Sequence, residues 1–197
     1  MKLYWMPQTR AARALWMLEE IGQPYEREMV NVMEAGERPD AFMAASPMGK
    51  VPALVDGEVN LSESAAICLY LADRYSLGDL APALDSADRG KFLYWMMFVP
   101  GVIEPAMAEK FGGWETNKRS HGWGDYETMI STLVETLSEN KWLLGDKFTA
   151  ADVMVGSTCY FMKKFNILPD NPVLNGYVER CLERPAYQAA LKLEEAG

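Results

Sequence analysis

Two short stretches carry the residues best suited to chemistry: Lys50-Val51-Pro52 and, eleven positions further on, Glu63-Ser64. Glu63-Ser64 opens a helical pattern after the hairpin whose turn is Asp56-Gly57. Free N–H groups and the helix dipole attract an anion at such a start, and a serine hydroxyl adds a donor. Glu63 can pair with an ammonium beside that anion. A ligand with both charges on one carbon, an amino-acid head group, suits the pair. The same residues also read as an ordinary cap, with Ser62 or Ser64 as N-cap and Glu63 favourable in the first turn. Pro52 cannot donate to a β ladder, so it belongs at a strand start, edge or bulge. A trans bond simply opens the strand. A cis bond turns the Val51 N–H and C=O outward, as an edge for an extended peptide. Lys50 and Arg38 are cations able to meet a carboxylate, or solvated surface charges. Thr9 stands before the first helical run as an N-cap hydroxyl.

Other reactive residue types form no site. His121 is the only histidine and lies in a Gly- and Trp-rich loop, where solvation is expected. No Cys/His/Asp cluster suggests a metal. The three cysteines, Cys68, Cys159 and Cys181, lack C-x-x-C spacing and sit in apolar helical contexts, as buried reduced thiols do. A formal charge of −9 argues against nucleic acid and anionic membranes as partners. It does not exclude a small acidic ligand at a locally positive site. With 49% hydrophobic and 24% charged residues the chain has the composition of a soluble globular protein. The N-terminus reads as lacking a secretory signal, so a cytoplasmic location is expected.

The elements that must position these residues change character near residue 77. Before it, strand patterns alternate with helical ones. MKLYWM reads as a strand, and TRAARALWMLEEIG as a helix with Ala11, Ala14, Leu15, Leu18 and Ile21 on one face. YEREMVNV reads as a second strand, and residues 34–46 as irregular or weakly helical. VPALVD and VNL flank the Asp-Gly turn as a hairpin, and ESAAICLYLADRY follows as a helix. A parallel crossover followed by a hairpin gives a small mixed sheet with helices packed on it. After a linker at about 78–87, helices are expected near 88–111, 125–140, 150–165, 173–182 and 186–195, with Pro100 kinking the first. Thr149-x-x-Asp152 has capping-box spacing, with Phe148 and Val153 placed for a hydrophobic staple. The division is a mixed α/β domain over 1–77 and an all-α domain over 88–197.

The block SPMGKVPALVDGEVNLSESAAICLYLADRY, with FTAADVMVGS and the helical second half, resembles a cytosolic glutathione transferase over essentially the whole chain. The resemblance implies a thioredoxin-like N-terminal domain with a four-stranded sheet that binds glutathione, an all-helical C-terminal domain, and a homodimer. It implies that Pro52 is cis, that the Val51 backbone pairs with the cysteinyl part of glutathione, and that Glu63 and Ser64 hold the γ-glutamyl group. Lys50, or less directly Arg38, would meet the glycyl carboxylate. The stretch WMPQTRAAR is similar to bacterial members with a serine-type turn, Thr9 replacing the second serine as donor to the glutathione thiolate and Tyr4 being the fallback. No cysteine stands there, unlike in cysteine-type branches. An apolar acceptor pocket would draw on Met6, Pro7, Met97, Phe98, Phe111 and Trp114. The implied activity is thiolate attack on a small, largely apolar electrophile. A non-catalytic glutathione-binding or regulatory protein, or a glutathione-dependent isomerase or dehalogenase, would share these features.

Overall fold

Consecutive buried residues at 3–5 and 53–54 form the centre of the N-terminal sheet, which the computed structural model describes along with the rest of residues 1–196. Its strands are β1 (Lys2–Trp5), β2 (Glu26–Met29), β3 (Ala53–Asp56) and β4 (Val59–Ser62), in the order β2-β1-β3-β4. β1 and β2 are parallel, and the other neighbours are antiparallel. Three helices belong to this part: α1 (Ala11–Ile21), α2 (Asp40–Ala45) and α3 (Ser64–Tyr75). The mixed sheet with packed helices is thus the expected thioredoxin-like arrangement, with the first three strands shorter than their sequence patterns. The weakly periodic segment 34–46 resolves into α2, which buries Phe42 and Ala45.

One face of α1 was expected to be apolar, but more of it is covered. Besides Ala11, Ala14, Leu15 and Leu18, the helix buries Arg13, Trp16 and Met17. The reason is two-sided packing, because α1 meets both α3 and the last helix, which is numbered below as α9 (Pro185–Glu195). Trp16 lies edge-on to Tyr187, with centroids 4.9 Å apart. Arg184 grips both carboxylate oxygens of Glu20, at 2.6 and 2.7 Å. The compact unit containing the sheet therefore comprises Met1–Leu77 and Leu182–Gly197, and the second unit is Gly78–Cys181. The sequence division at 88–197 follows helical content. It does not register that the final helix packs on α1.

The second unit is helical, with α4 (Arg89–Phe98), α5 (Glu104–Gly112), α6 (Tyr126–Glu139), α7 (Ala150–Lys164) and α8 (Pro172–Leu182). The single helix expected over 88–111 is interrupted by a π-helical turn, Val99–Ile103, where Glu104 donates its N–H to Val99. Pro100 has no N–H to give, and the turn absorbs the break. The 78–87 stretch is folded onto this unit. Leu80 and Ala81 are buried, and the Leu80 carbonyl accepts from the Ala150 N–H at 2.9 Å.

The capping box at the start of α7 is formed, with the Thr149 N–H donating to Asp152 Oδ2 at 3.0 Å. Asp152 is fully buried and also accepts from the Leu143 N–H (3.0 Å) and the Tyr177 hydroxyl (3.1 Å). Burial pushes its carboxyl up to about 6, against the pull of those donors. His121 is not simply solvated. Its Nδ1 lies 2.7 Å from the buried Glu109 carboxylate, and its ring stacks on Trp123 at 4.5 Å. All three cysteines are buried and free, and burial raises the thiols of Cys68 and Cys159 to about 12.

Candidate functional site

Register brings the separated motifs of the N-terminal unit to one end of the sheet. Ala53 pairs with Ser62 on β4 and with Tyr4 on β1. One step beyond these pairs, Val51-Pro52 leaves β3, Glu63-Ser64 leaves β4, and Trp5-Met6 leaves β1. The loop before α1, the strand-opening proline and the start of α3 therefore share an edge.

The Val51–Pro52 bond is cis, and both residues are buried. Val51 stands just outside the ladder, which begins at Ala53. Ser46, absent from the expected set, braces the approach. It is fully buried, donates to the Lys50 carbonyl (2.7 Å) and accepts the Lys50 N–H (3.0 Å). Gly49 completes the turn at φ 62°, a left-handed value that glycine adopts without a Cβ clash. The Lys50 side chain is exposed. Arg38 is committed elsewhere, donating to the carbonyls of Asn31 (2.7 Å) and Glu34 (2.6 Å).

Glu63 has φ 71° and ψ 118°, a conformation that residues with a Cβ rarely adopt. Such strain persists only where the surrounding structure holds it, and it clusters at functional sites. Its carbonyl accepts from the Ile67 N–H at 2.9 Å, so the residue caps α3 through its backbone and keeps its carboxylate exposed. Ser64, by contrast, is buried, and its Oγ accepts a hydrogen bond from Arg13 Nη1 at 3.0 Å. Neither Ser62 nor Ser64 is the N-cap of α3.

At the other side of the edge, Thr9 Oγ1 donates to the Met6 carbonyl (2.7 Å) and accepts from the Ala11 N–H (3.2 Å). It closes the turn into α1 with its own proton in use. Gln8, at φ 59°, gives its N–H to Glu194 of α9 at 2.8 Å. Met6 and Pro7 are half-buried in the same turn. Tyr4 is buried in β1, its ring 5.5 Å from Phe42. In the helical unit Met97, Phe111 and Trp114 are 46–59% exposed, whereas Phe98 is buried against Trp95 and beside Tyr94.

Arg13 and Ser46 escaped the sequence reading. A signal for Arg13 existed: it interrupts the apolar stretch between Ala11 and Leu18, where a cation needs a reason.

Known proteins share both halves of this architecture. Residues 1–73 match the family described as Glutathione S-transferase, N-terminal domain, and residues 104–180 its C-terminal domain. Glutathione S-transferase 3 of Schizosaccharomyces pombe is 28% identical, with 98% of this chain and 88% of the relative covered. The transferase GstA of Escherichia coli is 27% identical, with 98% of each chain covered. Among solved structures, a sphingomonad glutathione S-transferase complexed with glutathione superposes with a TM-score of 0.81 at 29% identity and full coverage of both chains. BphK, a bacterial transferase in a ternary complex, gives 0.83 at 27% identity over 99% of this chain and 100% of BphK. A cis-proline edge, a strained acidic residue and a buried serine at one helix start, and two matched domains in the same order place the chain in the cytosolic glutathione S-transferase family.

Proposed function

We propose that the shared edge of the N-terminal unit holds glutathione and turns its thiol into a nucleophile. The protein is a glutathione transferase, and the proposal concerns which residues do the work. The observation that carries it is the start of α3, where a strained Glu63 precedes a buried serine held by an arginine. The Ser64 hydroxyl and the first N–H groups of α3 receive the γ-glutamyl carboxylate, and Glu63 receives the ammonium. The Val51 backbone pairs with the cysteinyl segment, and the exposed Lys50 meets the glycyl carboxylate as a point charge.

That pose directs the sulfur toward the turn before α1. A free thiol titrates near 8.5, and helix N-termini and nearby cations lower such values to about 7 or below. Thr9 supplies a hydroxyl donor at that turn, and the positive end of the α1 dipole and Arg10 add positive charge. The thiolate then forms a sulfur–carbon bond with the electrophile, whose leaving group departs with the displaced electron pair. The acceptor is small and largely apolar. A cytoplasmic location and a homodimer complete the reading.

Calorimetric titration tests the glutathione assignment. Ser64→Ala should weaken glutathione binding by about 1–3 kcal/mol, the worth of a charge-assisted hydrogen bond. Unchanged affinity in a folded variant overturns it.

A further inference from the structure

Behind Ser64 lies the buried cation that holds its hydroxyl. Arg13 is only 7% exposed, and its Nη1 reaches Ser64 Oγ at 3.0 Å, from α1 to the first residue of α3. Its carbonyl accepts a contact from Cys68 Sγ of α3 at 3.7 Å, which ties the same two helices one turn further on. Burying a guanidinium costs several kcal/mol before compensation, and an apolar side chain would fill the gap without that cost. A buried arginine is held by polar partners, and Ser64 is one of them.

Hydrogen-bond inventory gives that contact a role. A serine hydroxyl has one proton and two lone pairs. Arg13 occupies a lone pair, so the hydroxyl proton remains to be donated. Receiving a bond from a cation polarises the hydroxyl and strengthens its own donation. The guanidinium charge also lies behind the positive end of α3, where both favour an anion in front of Ser64. Low dielectric around a buried charge extends its reach.

We propose that Arg13 is a positioning residue for the γ-glutamyl α-carboxylate: it holds the Ser64 hydroxyl as a donor and backs it with buried positive charge, so that ligands are selected by that carboxylate. The inference rests on the assignment of Ser64 to the glutamyl group. Arg13 itself does not touch the ligand.

The test is a double-mutant cycle by calorimetry, with two ligands. One is glutathione. The other is the analogue with 4-aminobutyryl in place of γ-glutamyl, which keeps the amine and lacks the α-carboxylate. Arg13→Met should weaken glutathione about tenfold and the analogue less than about twofold. Arg13→Lys should restore most of the loss, because charge and one donor return. In a Ser64→Ala background Arg13→Met should cost less than about threefold, since the hydroxyl it positions is gone. Equal weakening of both ligands, or fully additive losses, overturns the inference and leaves Arg13 as scaffold. If Ser64→Ala itself leaves glutathione binding unchanged, the glutathione site falls, and Arg13 with it. Should Arg13→Met fail to fold, wild-type protein labelled with 15N-arginine gives the answer. The buried Arg13 side-chain resonance should shift with glutathione and stay in place with the analogue; no shift with glutathione, or the same shift with both, overturns the proposal.

Discussion

At the scale of single residues, the open competition is for the Thr9 proton. The hydroxyl donates to Met6 and accepts from Ala11, so it stabilises the turn whether or not a thiolate is present. A thiolate is a stronger acceptor than a carbonyl, and hydrogen bonds to a charged partner are worth about twice those between neutral groups. The hydroxyl should therefore reorient when glutathione binds. Thr9→Val preserves the shape and removes the donor. In this variant the bound thiol should titrate about one to two pH units higher, a loss of roughly 1.4–2.7 kcal/mol of thiolate stabilisation. Thiolate absorbance against pH measures it. Arg10, not Thr9, is the N-cap of α1, but loss of the Thr9 bonds to Met6 and Ala11 that brace the turn costs about 1 kcal/mol of folding stability in addition, visible in a separate denaturant titration. An unchanged titration assigns activation to the positive end of α1 and not to the Thr9 hydroxyl.

At the scale of elements, polar groups rather than apolar ones decide where helices begin. Asp152 shows this most fully. One buried carboxylate satisfies the first turn of α7, the Leu143 N–H in the preceding loop and the Tyr177 hydroxyl on α8. Asp152→Ala leaves these buried donors without an acceptor, at about 1–3 kcal/mol each. We expect a total loss of at least about 3 kcal/mol, read as a lower urea midpoint of the full chain. A loss below 1 kcal/mol would show that the donors find other partners. The π turn at Val99–Ile103 follows the same logic in reverse: a missing donor at Pro100 changes the helix's hydrogen-bond pattern without ending the helix.

At the scale of the molecule, surface composition bears on assembly. The helical unit leaves Tyr94, Met97, Phe111, Trp114, Phe161 and Phe165 each 46% exposed or more. Large apolar side chains left exposed in this number supply surface that a second chain can cover. A homodimer should therefore give a light-scattering mass near twice the 22.1 kDa of the chain at micromolar concentration. A clean monomer overturns the expectation.

Local patterns in the sequence were enough for the strand–helix alternation, the Asp56-Gly57 hairpin, the helix starts at Thr149 and Pro172, and the change of character near residue 77. Each depends on periodicity, turn chemistry or capping, all of which act over a few residues. The polar start of α3 was visible for the same reason. Ser46 was not, and Arg13 stood out only as a cation in an apolar stretch, because a serine four residues before Lys50 and an arginine on an apolar helix acquire their roles only from what faces them. Arg13 meets Ser64 across 51 positions. Likewise, α9 has the pattern of one more helix in a helical series, yet its Tyr187 and the preceding Arg184 pack on α1. Hydrophobic period reveals that a helix has a face to bury, and only tertiary packing selects the partner, because apolar burial is non-directional.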